Sequence, residues 1–122
     1  MKIRIRGNSV RFRLTKNEVE QLCREKFIEE TTNFPNLNFM YSVRVSVTKN
    51  LDIDFANNQI SLKISEELLQ GWDTNNRVGF SHSVPTSNSQ TIDILLEKDF
   101  TCLEDRGEDE SNNYPNPKSL TH

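Results

Sequence analysis

Six of the basic residues in this 122-residue chain, Lys2, Arg4, Arg6, Arg11, Arg13 and Lys16, fall within its first 17 positions, where there is no acid. Arginine presents a planar fork of donors that matches a carboxylate or a phosphate through two bonds at once, so such a cluster is raw material for an anion site. Spacing sharpens the point. Lys2, Arg4 and Arg6 alternate with Ile3 and Ile5, and Arg11 and Arg13 alternate with Val10, Phe12 and Leu14. Period-2 alternation places the bases on one face of two strands and the apolar residues on the other. Gly7-Asn8-Ser9 supplies the hairpin turn between them. A turn at Gly7-Asn8 sets Arg4 opposite Arg11 and Lys2 opposite Arg13; a turn at Asn8-Ser9 sets Arg6 opposite Arg11 and Arg4 opposite Arg13. Either register faces base with base, which destabilises the pair unless something neutralises it. The expected binding residues are therefore Arg4, Arg6, Arg11 and Arg13, for an anionic small molecule or an acidic protein surface. The competing reading is internal, because the last strand carries Asp93, Glu97 and Asp99 on its polar side. A third is plain solvation.

Other chemistry has less behind it. A nucleic-acid site would interleave aromatic residues with the basic face, and Phe12 points to the opposite side. His82 is the only internal histidine and reads as a loop residue, with no second ligand at metal spacing and no nucleophile elbow. Cys23 lies on an apolar helical stripe and reads as a small, buried, unpaired core residue; Cys102 is open between buried and free. Asp52 and Asp54 share a strand face and could join Glu97 and Asp99 around a cation, although no spacing demands it. Trp72 follows a helix stop and reads as a core plug. No catalytic residue, metal or cofactor is called for. The enzyme alternative is a phosphate-processing barrel with a charged interior, which lacks the alternating glutamates such enzymes carry near the N-terminus.

The elements that must position these residues follow from the same periodicities. Thr15-Lys16-Asn17-Glu18 fits a capping box, and Val19, Leu22 and Cys23 continue as one stripe, predicting a helix over 16–26. The stretch 27–34 leans toward a short strand through its Thr and Phe residues. Phe39, Tyr41, Val43, Val45 and Val47 alternate with Met40, Ser42, Arg44 and Ser46. A turn at Asn57-Asn58 sets Phe55 opposite Ile60, Ile53 opposite Leu62 and Asp52 opposite Lys63, so apolar meets apolar and acid meets base. Ser65 caps a short helix over 66–70, stopped by Gly71. Val78-Gly79-Phe80 reads as a short strand, 81–90 as a polar loop, and 91–100 as the last strand with Ile92, Ile94 and Leu96 inward. The sum is an α+β domain over 1–102. Its expected architecture is a curved antiparallel sheet or small barrel of about seven strands, with one main helix and one short one.

Composition bounds the rest. Apolar residues make up 34% of the chain, below the ordinary share, and 15 Lys+Arg against 18 Asp+Glu leave a net charge of −3. That balance excludes a strongly basic nucleic-acid binder, and no apolar run is long enough to span a membrane. The start of the chain has no signal-peptide pattern and the two cysteines form no framework, which suggests a soluble, reduced, cytoplasmic protein. Beyond Leu103 only Tyr114 and Leu120 are large and apolar. The acidic tail 103–122 is expected to be disordered in isolation, with docking of Tyr114 on the domain as the alternative.

Several stretches resemble a family of short, uncharacterised bacterial proteins classed as a domain of unknown function. They are 1–9 (MKIRIRGNS), 11–16 (RFRLTK), 77–80 (RVGF), 95–100 (LLEKDF) and 108–115 (EDESNNYP). The resemblance spans nearly the whole chain. It implies a compact bacterial protein standing alone as one domain, and it brings no reaction, cofactor or catalytic residue.

Overall fold

The computed structural model describes residues 1–100 and Tyr114. Strands β1 (Lys2–Arg6) and β2 (Ser9–Leu14) form the first hairpin, and helix α1 (Lys16–Glu25) follows. The capping box is in place: the Glu18 N–H donates to Thr15 Oγ1 at 3.4 Å, and the Thr15 N–H donates to Glu18 Oε1 at 2.8 Å. Lys26 ends the helix in the left-handed region, at φ 66°. Strands β3 (Phe27–Asn33) and β4 (Asn38–Val45) come next, then the hairpin β5 (Leu51–Ala56) and β6 (Gln59–Ile64). Its register is the expected one, with Phe55 opposite Ile60, Ile53 opposite Leu62 and Asp52 opposite Lys63. Ser65 Oγ accepts the Leu68 N–H at 3.2 Å at the start of the short helix α2 (Glu66–Leu69). Strands β7 (Gly79–Pro85) and β8 (Thr91–Lys98) complete the fold.

The α+β class holds, while the single antiparallel sheet or barrel of seven strands does not. Among the described residues eight strands form two four-stranded mixed sheets, ordered β1-β2-β8-β7 and β3-β4-β6-β5. Both central pairs, β2 with β8 and β4 with β6, run parallel. A tight turn dictates direction only within its own hairpin. Direction between hairpins depends on where the crossover delivers the chain, which local alternation does not encode. The expected loop 81–90 is corrected too: Ser81 to Pro85 pair with β8 as an edge strand. Pro85 is tolerated there at the strand's end, and Gly79 lets β7 come close, since a Cβ on it would lie 2.3 Å from the Leu96 carbonyl oxygen.

The chain path repeats. Each half runs hairpin, helix, hairpin, and each gives one hairpin to each sheet. Val10 and Ile60, Phe12 and Leu62, Leu14 and Ile64, Thr15 and Ser65, Val19 and Leu69, Leu22 and Trp72 correspond at a constant offset of 50 positions (10 to 60, 72 from 22). Sequence reading missed this repeat, because the two halves share pattern rather than residue identity. All of these apolar residues are buried in one core. Parallel pairing brings the ends of β2 and β8 together at Leu14 and Lys98, and those of β4 and β6 at Val45 and Ile64. Both helices follow from this end and cover it. The hairpin turns lie at the opposite end, which no described helix covers.

Candidate functional site

The first hairpin turns at Gly7-Asn8, so Lys2 faces Arg13, Arg4 faces Arg11 and Arg6 faces Ser9. Gly7 carries the positive φ, +54°, that this turn needs. Strand β8 lies against β2 and sets Glu97 beside Arg13 and Leu95 beside Arg11. Glu97 Oε1 sits 3.2 Å from Arg11 Nε and 3.7 Å from Arg13 Nε, so one carboxylate serves two guanidinium groups. Asp99 is buried, and its Oδ2 is met by the Lys2 ammonium at 3.2 Å. Asp93 turns elsewhere and accepts the Ser83 hydroxyl at 2.6 Å. Among the described residues neither Arg4 nor Arg6 has an ion-pair partner. Arg4, Arg6, Ser9 and Arg11 border a surface cavity of about 130 Å³. The predicted quartet thus divides: Arg11 and Arg13 are tied to Glu97, while Arg4 and Arg6 are in no ion pair among the described residues.

The remaining sequence candidates are scattered. His82 is exposed on β7 rather than in a loop. Asp52 and Asp54 lie on one sheet and Glu97 and Asp99 on or beyond a strand of the other, so the four carboxylates are not brought together. Among the described residues no group of three or more His, Cys, Asp or Glu is placed to hold a metal ion. Cys102 and the tail 103–122, except Tyr114, lie outside the described residues. No described helix is long and apolar enough to cross a membrane.

A polar cluster under the helices was not anticipated. Lys98 is 4% exposed at the inner end of β8, and its Nζ donates to the Asn75 carbonyl at 2.7 Å. The ammonium lies 5.0 Å from the Tyr114 ring centre and 5.7 Å from that of Trp72, a cation–π arrangement. Trp72 is buried as expected, its ring 5.0 Å from Phe80 and its indole N–H on the Arg77 carbonyl at 2.9 Å. Burial lowers the Lys98 amine below its ordinary value, against the opposing pull of Cys23 and Asp73. Burial pushes the Cys23 thiol up, and the same cause, with Glu20, Cys23 and Asp73 adding to it, raises Tyr114 to about 12. Cys23 is half-buried rather than fully buried, and its thiol donates toward the Leu69 carbonyl at 3.8 Å. Tyr114 docks by a bridge to Phe100 and by its N–H on the Asp99 carbonyl at 2.8 Å. Alternation through Ile92, Ile94 and Leu96 reaches Lys98, and parity alone would have flagged it.

A third feature is an apolar cleft of about 720 Å³ at the end without helices, where the two sheets part. Ile5 and Val10 line it from one sheet, Ile53, Phe55 and Ile60 from the other, and Val84 and Ile92 close one side. Ile5 is 58% exposed and Phe55 65%, although both occupy inward parity. A larger depression, about 810 Å³, is walled by Val45 at the end of β4, the 46–49 segment and the start of α2.

No curated protein and no solved structure matches the chain. A family model does match, over residues 1–118, in agreement with the resemblance of the five segments above. The chain belongs to a family of unknown function, DUF7009.

Proposed function

We propose that this chain is a small cytoplasmic bacterial binding module whose basic N-terminal hairpin takes an anionic group, a phosphate or a carboxylate, on Arg4 and Arg6, beside the Glu97-bound Arg11. The reading rests on one observation: Arg4 and Arg6 stand on the same strand face as Arg11, around a cavity sized for a small anion, with no acid of the described chain committed to them. Like charges held across a hairpin cost stability in the free protein, and a bound anion removes that cost. Ser9 adds a hydroxyl to the two guanidinium forks. A second reading, that the face is internally neutralised scaffold, is favoured by the Glu97 and Asp99 pairs. The two readings divide by residue, Lys2, Arg11 and Arg13 serving the scaffold and Arg4 and Arg6 the ligand.

Thermal unfolding tests this at fixed ionic strength with phosphate, pyrophosphate and small dicarboxylates. Ligand at a hundred times its dissociation constant stabilises by about 2.7 kcal/mol, a rise of roughly 10 °C in Tm for a domain of this size. Arg4→Met and Arg6→Met are expected to abolish that rise while leaving the free protein as stable as before or more so. If no anion raises Tm and both variants are destabilised, the scaffold reading stands alone.

A further inference from the structure

We infer that the apolar cleft and the arginine face are two halves of one site, and that its ligand is a single-chain amphiphilic carboxylate of the fatty-acid class, its chain in the cleft and its head on Arg6 and Arg4. The inference rests on the anion-binding reading above and adds the ligand's apolar part. Strand β1 is the connection. It is an edge strand, and its alternation turns Ile5 into the cleft while Arg4 and Arg6 flank Ile5 on the opposite face. Only the thickness of one strand separates the apolar space from the basic one, so a flexible chain can pass round the β1 edge and touch both. The volumes suit a divided ligand. About 720 Å³ lies within the range of small-molecule sites, and about 130 Å³ admits a head group and little else. Exposure at Ile5 and Phe55 points the same way: inward positions near the sheet ends remain open to solvent, where burying their apolar surface against a chain would be favourable. The one carboxylate residue along the cleft, Asp54, belongs to the other sheet and directs an anionic head toward the arginine side.

Calorimetric titration of the full chain with decanoate below its micelle concentration tests this, with acetate, decanol and inorganic phosphate as comparison ligands. Decanoate is expected to bind at one saturable site, at least about tenfold more tightly than acetate or decanol, each tenfold being about 1.4 kcal/mol. Arg6→Met should reduce it to the level of decanol, and Phe55→Ser, a change at an exposed position, should reduce it to the level of acetate. If phosphate binds in an Arg6-dependent way while decanoate binds no better than acetate, the cleft is not part of the site and the anion-binding reading survives. If decanoate and decanol bind equally and ignore Arg6→Met, the head-group assignment falls. Adsorption to phosphatidylglycerol vesicles without binding of monomeric decanoate would overturn the inference in favour of a membrane surface.

Discussion

The hairpin Lys2–Leu14 and the hairpin Leu51–Ile64 send equivalent apolar residues into one core and differ in nearly everything they turn outward. Where the first has Lys2, Arg4, Arg6, Arg11 and Arg13, the second has Asp52, Asp54, Ala56, Ser61 and Lys63. Inside, Phe12 answers Leu62 and Leu14 answers Ile64. Core positions are held by volume and burial, which tolerate exchange among apolar residues. The outer positions are under no comparable constraint of volume, and there the halves diverge, with a cluster of five bases in one and none of comparable size in the other. The covered end shows the same divergence. Lys98 pairs with Leu14 where, in the other sheet, Val45 pairs with Ile64. Helix α2 has four residues against ten in α1, and Trp72 fills with one large side chain the place that Leu22 takes in the longer helix.

If the halves are structural equivalents, truncation at matching core positions should cost both dearly. Trp72→Ala is expected to destabilise by about 3–5 kcal/mol and Leu22→Ala by about 2–5 kcal/mol, read from urea unfolding. A small cost at either would show that one half does not bear on the shared core as the burial implies. Neutralising an acid should instead separate the halves. Glu97→Gln leaves Arg11 and Arg13 facing Lys2 and Arg4 without their shared partner, and a loss of about 1 kcal/mol is expected. Asp52→Asn in the other half should cost only a few tenths, because Asp52 faces Lys63 in the register without an ion pair among the described residues and the amide oxygen can still accept the Ile53 N–H. Equal losses would mean that the basic hairpin carries no special charge strain.

The smallest effect concerns Tyr114, which has no counterpart at the matching end of β4. Its hydroxyl is raised from the ordinary 10.0 to about 12, chiefly by burial. The unfolded chain therefore ionises first, so the stability Tyr114 contributes is complete below about pH 10 and is lost as pH climbs toward 12. Tyr114→Phe is expected to flatten that part of the alkaline stability profile. A profile unchanged by the substitution would place the phenol in water rather than against Lys98 and the helices.

Much of this molecule is written locally. Alternation at every second residue identified both N-terminal strands and the pairing at Asn57-Asn58; the four-residue pattern Thr15 to Glu18 identified the helix start. Arg4, Arg6, Arg11 and Arg13 on one face follow from parity alone, as do Asp93, Glu97 and Asp99 on the polar side of the last strand, of which Glu97 and Asp99 pair with the hairpin and Asp93 does not. These features depend on neighbours within a few positions, where backbone geometry leaves little choice. Only the start of β7, at Val78-Gly79-Phe80, is legible locally; its continuation through Ser81 to Pro85 is not, because an edge strand exposed along most of its length shows little apolar alternation. The parallel pairs, the two sheets, the sharing of Glu97 between Arg11 and Arg13, the idle Arg4 and Arg6, the Lys98 cage and the cleft behind Ile5 were decided by tertiary structure. Each arises from segments tens of residues apart, and their approach is selected by how the whole apolar surface is buried at once rather than by any local signal.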